Sequence, residues 1–162
     1  MTETSRDSPN VLIFPPLIPL SVLVVGIVLD IFVPLGLLAH VRFPGRTVVG
    51  AIAFVVGIGM VIGANRLFRR VGTNARPSQP TLALATTGVF TWTRNPMYVG
   101  GSLTLLGIAI CFALDWVILL LALSLPLMHY GVILREERYL ERKFGDEYRR
   151  YKGKVPRYWW RF

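Results

Sequence analysis

Two short polar stretches carry the side chains that could do chemistry in this chain. Residues 93–98 read Thr-Arg-Asn-Pro-Met-Tyr, and residues 135–138 read Arg-Glu-Glu-Arg. Arg94 and Asn95 bring hydrogen-bond donors to a helix that can begin at Pro96, where the positive end of the helix dipole also favours an anion. An apolar hairpin separates the two stretches, so both should lie at one membrane face. There a water-soluble cofactor could meet a lipid-soluble substrate.

The two glutamates of the second stretch are adjacent, which gives their carboxylates different surroundings. Adjacent residues on a helix face different directions, so one of Glu136 and Glu137 can point into a helix bundle while the other meets water. The alternative is that both are ordinary interfacial charges paired with Arg135 and Arg138. The spacing alone leaves both interpretations open.

The composition indicates that a lipid bilayer is the solvent for most of the chain. Of the 162 residues, 53% are hydrophobic and 17% are charged, and the mean hydropathy is +0.52. Soluble domains of this length are seldom so apolar. The net charge of +9 resides in clusters that flank apolar runs, which favours anionic lipid headgroups over nucleic acid. One cysteine and two distant histidines predict neither a disulfide nor a metal site.

The apolar segments predict an all-α fold, a polytopic membrane protein with about four transmembrane helices. Residues 1–10 are polar, and residues 1–14 are expected to form a disordered tail with no cleavable signal peptide. Residues 15–68 are predicted to form two spans, the first of which runs to about residue 40 and has a kink at Pro34. In the second span, Gly59 and Gly63 form a G-x-x-x-G pattern that lets helix backbones approach closely.

The second half of the chain, residues 69–162, is predicted to form the functional core. Its apolar run, 100–134, is too long for one span, so we expect a helical hairpin that turns at 111–116. Beyond it, apolar and aromatic side chains at helical spacing predict one amphipathic helix on the membrane surface. These side chains belong to Leu140, Phe144, Tyr148 and Tyr151. The positive-inside rule places the 69–98 loop and both termini in the cytoplasm.

Three ionisable residues lie inside or beside the apolar segments. An intramembrane carboxylate is a functional candidate by default, and Asp30 and Asp115 qualify. For Asp30 the alternative is a polar contact to a neighbouring helix. His129, in the last span, receives no role from the sequence.

The order of these elements resembles a known family. The chain has Arg-Asn-Pro-Met-Tyr-Val-Gly at 94–100, an apolar hairpin, Glu136-Glu137 followed by Leu, Phe-Gly and two tyrosines, and Val-Pro-Arg at 155–157. This pattern is similar to that of isoprenylcysteine carboxyl methyltransferases and of the related membrane phospholipid methyltransferases. The resemblance covers about residues 73–158. It implies a multi-pass membrane enzyme that uses S-adenosylmethionine to methylate a lipid-like or prenylated acceptor, a carboxylate or an amine, at the cytoplasmic face.

The resemblance also implies where the cofactor binds, in a pocket that is not a Rossmann fold. Loop backbone groups and small side chains would hold the adenine, and the glutamate would bind the ammonium or a ribose hydroxyl. The implied cofactor residues are Leu82, Ala83, Leu84, Ala85, Phe90, Asn95, Pro96, Met97, Tyr98 and Glu136. No general acid or base is assigned, because methyl transfer from a sulfonium depends chiefly on positioning and desolvation.

Three positions depart from the pattern of that family. Asn95 and Phe90 stand where many relatives have histidine and tyrosine, and both replacements are mild. Val132 stands where prenylcysteine-processing relatives have the arginine that holds the substrate carboxylate. Arg135, three residues further along, is the candidate to replace it, and a lipid amine such as phosphatidylethanolamine is the alternative acceptor.

Two other functions stay open. Sterol-reductase-like membrane proteins resemble this C-terminal architecture, so an NADPH-dependent reductase is the alternative enzyme, and binding of NADPH would decide for it. A small non-enzymatic transporter would use Asp30 and Asp115 as polar pathway residues, although two carboxylates without partners make a poor conduit.

Overall fold

The computed structural model describes residues 8–9, 11, 14–41, 43–74 and 79–159, which fold into helices and connecting turns without a strand. The α-helices are α1 (Leu17–Phe32), α2 (Gly45–Val71), α3 (Pro96–Phe112), α4 (Asp115–Met128), α5 (Leu134–Phe144) and α6 (Asp146–Lys154). A π-helical turn, His129–Ile133, joins α4 to α5, and 3₁₀ turns form at Leu38–His40 and Gly88–Thr91. The all-α prediction is confirmed. The predicted disordered tail falls mostly outside the described residues.

Two helices are long and apolar enough to cross a bilayer. They are α2, with 27 residues, and the continuous helix Asp115–Phe144, with 30 residues. In the most apolar window of each, only 22% and 28% of the residues are buried, so most apolar side chains lie on the surface of the isolated chain. Large exposed apolar surfaces are rare on soluble monomers, so this distribution is typical of helices that face lipid. The apolar helices α1 and α3 are shorter, with 16 and 17 residues.

The first helix ends earlier than the sequence predicts. It stops at Phe32, and Pro34 follows it instead of kinking it, because a proline disfavours helical backbone at the residue before it. The predicted kink is therefore wrong. The predicted hairpin turn is found where expected, since α3 ends at Phe112 and α4 begins at Asp115.

Helices α2 and α3 pack together through glycines at backbone contact distance. A Cβ atom added at Gly57 would lie 2.5 Å from the Thr104 nitrogen and 2.6 Å from the Gly100 oxygen. A Cβ atom added at Gly107 would lie 2.6 Å from the Gly50 oxygen. Real side chains do not come this close, so the packing requires glycine at both crossings.

The prediction that glycines of α2 allow close helix packing is thus correct. The glycines that make the contact are not the predicted G-x-x-x-G pair. A Cβ atom at Gly59 would meet nothing within 4 Å. One at Gly63 would meet the Val89 side chain of the 3₁₀ turn at 2.9 Å. The face that packs is set by the partner helix, which the spacing on α2 alone cannot reveal.

Two carboxylates tie the α3–α4 turn to the end of α1. Asp115 is buried and accepts the backbone N–H groups of Leu37 at 2.7 Å and Leu38 at 3.0 Å. Asp30 accepts the backbone N–H of Trp116 at 3.2 Å. Both therefore bond to the neighbouring segment, which favours the structural interpretation of Asp30.

The predicted amphipathic C-terminal helix is two helices. Gly145, with φ of +52°, separates α5 from α6. Tyr148 and Tyr151 are buried and pack with Ala85 and Phe90 in a cluster inside the protein. The prediction that this apolar face rests on the membrane surface is therefore wrong, because the loop before α3 covers the face.

We expect Gly57→Ala to destabilise the protein by about 1–3 kcal/mol, the usual cost of forcing atoms into a packed contact. Gly59→Ala, two residues away in the same helix, is the matched control and should leave stability unchanged or slightly higher. Thermal unfolding of the detergent-purified variants measures both. Equal melting temperatures for the two variants would show that the α2–α3 contact is looser than described.

We expect Asp30→Asn to fold normally, because the amide oxygen can still accept the Trp116 N–H. Asp115→Ala should lower stability by about 1–3 kcal/mol, since two backbone N–H groups lose their acceptor. Thermal unfolding again separates the two. A folded Asp30→Asn protein that had lost function would instead make Asp30 a functional residue.

Candidate functional site

A cavity of about 270 Å³ lies where the start of α3, the preceding loop and the start of α5 meet. This is near the lower end of the ~300–1,000 Å³ range of small-molecule sites. Its polar lining includes Arg94, Asn95, Tyr98, Glu136 and Glu137. Its apolar lining includes side chains of α1 and α4, among them Ile18, Pro19, Leu121 and Met128. Charged groups and apolar surface thus share one cavity.

The cavity brings together nearly all of the residues that the family resemblance implies for the cofactor. Those that line it are Ala83, Leu84, Ala85, Phe90, Asn95, Pro96, Met97, Tyr98 and Glu136. Leu82 is not among the lining residues; its side chain is 64% exposed. Arg135, the candidate for a substrate carboxylate, does not line the cavity either.

The first polar pair of the site joins α3 to α5. The Tyr98 hydroxyl donates a hydrogen bond of 2.6 Å to Oε1 of Glu136. Pro96 is the first residue of α3, so Tyr98 stands in its first turn, and Glu136 stands in the first turn of α5. The π-helical turn just before α5 changes the helical register and so the direction in which the Glu136 carboxylate points. Tyr98 thus holds this carboxylate in the cavity lining.

The second polar group is an ion triad centred on a buried carboxylate. Glu137 is 5% exposed and receives two hydrogen bonds from Arg157, of 3.0 Å and 2.8 Å. Its Oε1 also lies 3.2 Å from Nη2 of Arg94. The hydrogen bonds to Glu137 raise the pKa of Arg157, so this cation stays charged. The fork of a guanidinium matches a carboxylate in such bidentate pairs.

Both glutamates therefore line the interior, and neither sequence interpretation of the pair was complete. Glu137 is the more buried of the two. Its partners, Arg94 and Arg157, come from segments that are distant in sequence. Arg138, which the sequence offered as a partner, donates from its Nε to the Leu134 carbonyl at 3.1 Å. The expectation that one carboxylate simply faces water is wrong.

The C-terminal segment fixes the backbone of residues 93–95 against the site. The Arg94 N–H donates to the Pro156 carbonyl at 2.9 Å. The Arg157 carbonyl accepts from the Thr93 hydroxyl at 2.7 Å and from the Asn95 amide at 3.1 Å. Asparagine thus supplies a donor where many relatives have histidine. The Val-Pro-Arg stretch acts as a strap that orients the entrance of α3.

The loop before α3 is fixed by hydroxyl groups. Thr73 accepts from the backbone N–H groups of Leu82 at 2.9 Å and Ala83 at 3.3 Å. The Tyr151 hydroxyl donates to the Phe90 carbonyl at 2.7 Å. Burial raises the pKa of Tyr151, so this hydroxyl keeps its proton and its donor role. These bonds present the loop to the cavity in one conformation.

Sequence reasoning missed several residues that build this site. Thr73 and Tyr139 act through hydrogen bonds that no spacing reveals: Thr73 accepts from the loop N–H groups given above, and the Tyr139 hydroxyl accepts from the Thr81 N–H at 3.1 Å. His129, left without a role, forms a 2.7 Å hydrogen bond with the Tyr158 hydroxyl and so ties the π-helical turn to the strap. The Val-Pro-Arg pattern was the one available signal for this contact region.

Comparison with known proteins identifies the family. The family model for phospholipid methyltransferases matches residues 45–147, well over half of the chain. The chain therefore belongs to the phospholipid methyltransferase family. Over 26 residues it is 77% identical to an uncharacterized protein of Haemophilus influenzae, a segment that covers 16% of this chain and 41% of that protein. No solved structure matches the chain.

We expect Glu137→Ala to destabilise the protein by about 3–5 kcal/mol, because it leaves two arginines without their shared buried partner. Glu141→Ala is the matched control on the same helix. Glu141 pairs with Lys152 at 3.0 Å on the surface, so its loss should change little. Thermal unfolding compares them. Similar melting temperatures for both variants would rule out the triad as a main stabilising contact.

Proposed function

We propose that this chain is an integral-membrane, S-adenosylmethionine-dependent methyltransferase that acts on a lipid-like acceptor at the cytoplasmic membrane face. The observation that carries the proposal is one shared cavity. It unites the 83–85 loop, the Asn95–Tyr98 turn and Glu136, which are far apart in sequence, and it does so in the chain of a lipid methyltransferase family.

The residues present fit the chemical parts of this cofactor. The 83–85 loop offers backbone groups and small side chains to an adenine ring, with Phe90 and Met97 beside it in the lining. Glu136 offers a carboxylate, oriented by Tyr98, to an ammonium or a ribose hydroxyl. When bound, the cofactor supplies an electrophilic methyl group on a sulfonium. The protein's part is to align that methyl with the acceptor and exclude water.

The acceptor side of the cavity favours a lipid amine. Val132 is fully buried and apolar, and Arg135 is absent from the lining, so neither offers a cation to a substrate carboxylate. Apolar side chains of α1 and α4 can contact an acyl chain while the headgroup meets the polar wall. N-methylation of a phospholipid amine is thus the leading reaction, and O-methylation of a prenylated carboxylate is the second.

In this proposal α1, α2, α3 and the continuous helix Asp115–Phe144 each cross the bilayer, with both termini in the cytoplasm. The short helices α1 and α3 can span about 24–26 Å at 1.5 Å per residue, so the bilayer would thin around them. Basic residues of α5 and α6 would then meet anionic headgroups at the face that holds the cavity.

Calorimetric titration of the detergent-purified protein with S-adenosylmethionine and S-adenosylhomocysteine tests the proposal, with NADPH as parallel ligand. We expect both nucleosides to bind, and Glu136→Gln to weaken them roughly 10- to 100-fold through the lost charge-assisted contact. Glu136→Ala should abolish binding in a folded protein.

The matched control is Glu141→Gln, an exposed carboxylate on the same helix, which should bind as the wild type does. Unchanged affinity in folded Glu136 variants would remove that residue from the cofactor site. Binding of NADPH in place of both nucleosides would replace the methyltransferase with a reductase.

A further inference from the structure

Arg94 has hydrogen-bonding capacity that the described part of the chain does not use. Its side chain is 8% exposed and lines the cavity. One nitrogen, Nη2, contacts Glu137 at 3.2 Å. The other two, Nε and Nη1, are buried and have no hydrogen-bond partner in the part of the chain that the structure describes. Buried guanidinium donors without acceptors are costly, so this arrangement indicates a missing acceptor.

The charges around Arg94 show what kind of acceptor is missing. Glu137 already has a bidentate partner in Arg157, so the triad of two arginines and one glutamate carries one surplus positive charge. The 17-residue helix α3 begins two residues after Arg94 and adds the positive end of its dipole. A single anionic group with two oxygens would satisfy both free nitrogens and balance this charge.

We propose that Arg94 binds the carboxylate of the methyl donor's amino-acid moiety, an inference that rests on the proposed function. Glu136 lies in the same cavity and offers the opposite charge. A zwitterionic amino-acid moiety therefore finds a cation for its carboxylate and an anion for its ammonium. Arg94 sets the affinity for donors that carry this carboxylate.

A lipid phosphodiester presents the same oxyanion chemistry, but the position of Arg94 favours the donor. The residues that follow it, Asn95 to Tyr98, form the turn proposed to hold the cofactor. The apolar side chains that an acyl chain needs come from α1 and α4 instead. The methyl donor and the acyl chain of the acceptor would thus contact different parts of the cavity lining.

A ligand-by-variant cycle tests this assignment without measuring activity. The wild type and Arg94→Gln are titrated with S-adenosylhomocysteine and with its decarboxylated analogue, which lacks only the carboxylate. In the wild type the analogue should bind roughly 10- to 100-fold more weakly, the range for a hydrogen-bonded charge. In Arg94→Gln this ratio should fall close to one. Arg94→Lys, which keeps the charge but not the fork, should give an intermediate ratio and serves if Arg94→Gln does not fold.

Arg149→Gln is the matched control, because it removes a surface arginine that pairs with Asp146 at 2.8 Å and does not line this cavity. It should preserve the wild-type ratio. A ratio that stays at the wild-type value in both Arg94 variants would overturn the assignment.

Two further results separate this inference from the function on which it rests. If the folded wild type binds neither nucleoside, the proposed function itself fails. If an Arg94 variant keeps the wild-type ratio but loses binding to phosphatidylethanolamine vesicles, the oxyanion site belongs to the acceptor, and the donor assignment is wrong.

Discussion

The buried carboxylate of Glu137 is the constraint on which the rest of the site depends. It holds two arginines from segments far apart in sequence, one before α3 and one in the C-terminal strap. Removing one partner from such a buried group strands the others, so the three must fold together. Because Arg94 and Asn95 are fixed by the same strap, the geometry at the entrance of α3 depends on the packing of the C-terminal residues.

The membrane helices provide the fixed frame for this polar cluster. Glycines at Gly50, Gly57, Gly100 and Gly107 bring α2 and α3 together at backbone distance. In lipid such close packing replaces the hydrophobic effect as the source of helix association. Asp30 near the end of α1 and Asp115 at the start of α4 fasten the α3–α4 turn to the segment that contains the end of α1.

The predictable features were those that repeat along the chain or recur in a family. Apolar runs gave the helices and the hairpin turn, and the Arg-Asn-Pro-Met-Tyr and Glu-Glu stretches identified residues that line one cavity. The features that depend on contacts between distant segments could not be predicted. The pairing of Glu137 with Arg157 and the choice of Gly57 over Gly59 follow from which helix faces meet. Likewise, the amphipathic pattern of α6 indicates an apolar partner but cannot distinguish lipid from Phe90 and Ala85.

The cavity wall combines residues inside and outside the region that matches the family. The family match spans residues 45–147 and so includes the loop, the α3 entrance and both glutamates, but not α1. Yet Ile18 and Pro19 of α1 line the same cavity. In the proposed function, the polar wall that would hold a methyl donor comes from the shared region, while an N-terminal helix outside it supplies apolar wall for the acceptor. Under this proposal, changes in α1 would alter which lipid is accepted without disturbing the ion triad beside the proposed donor site.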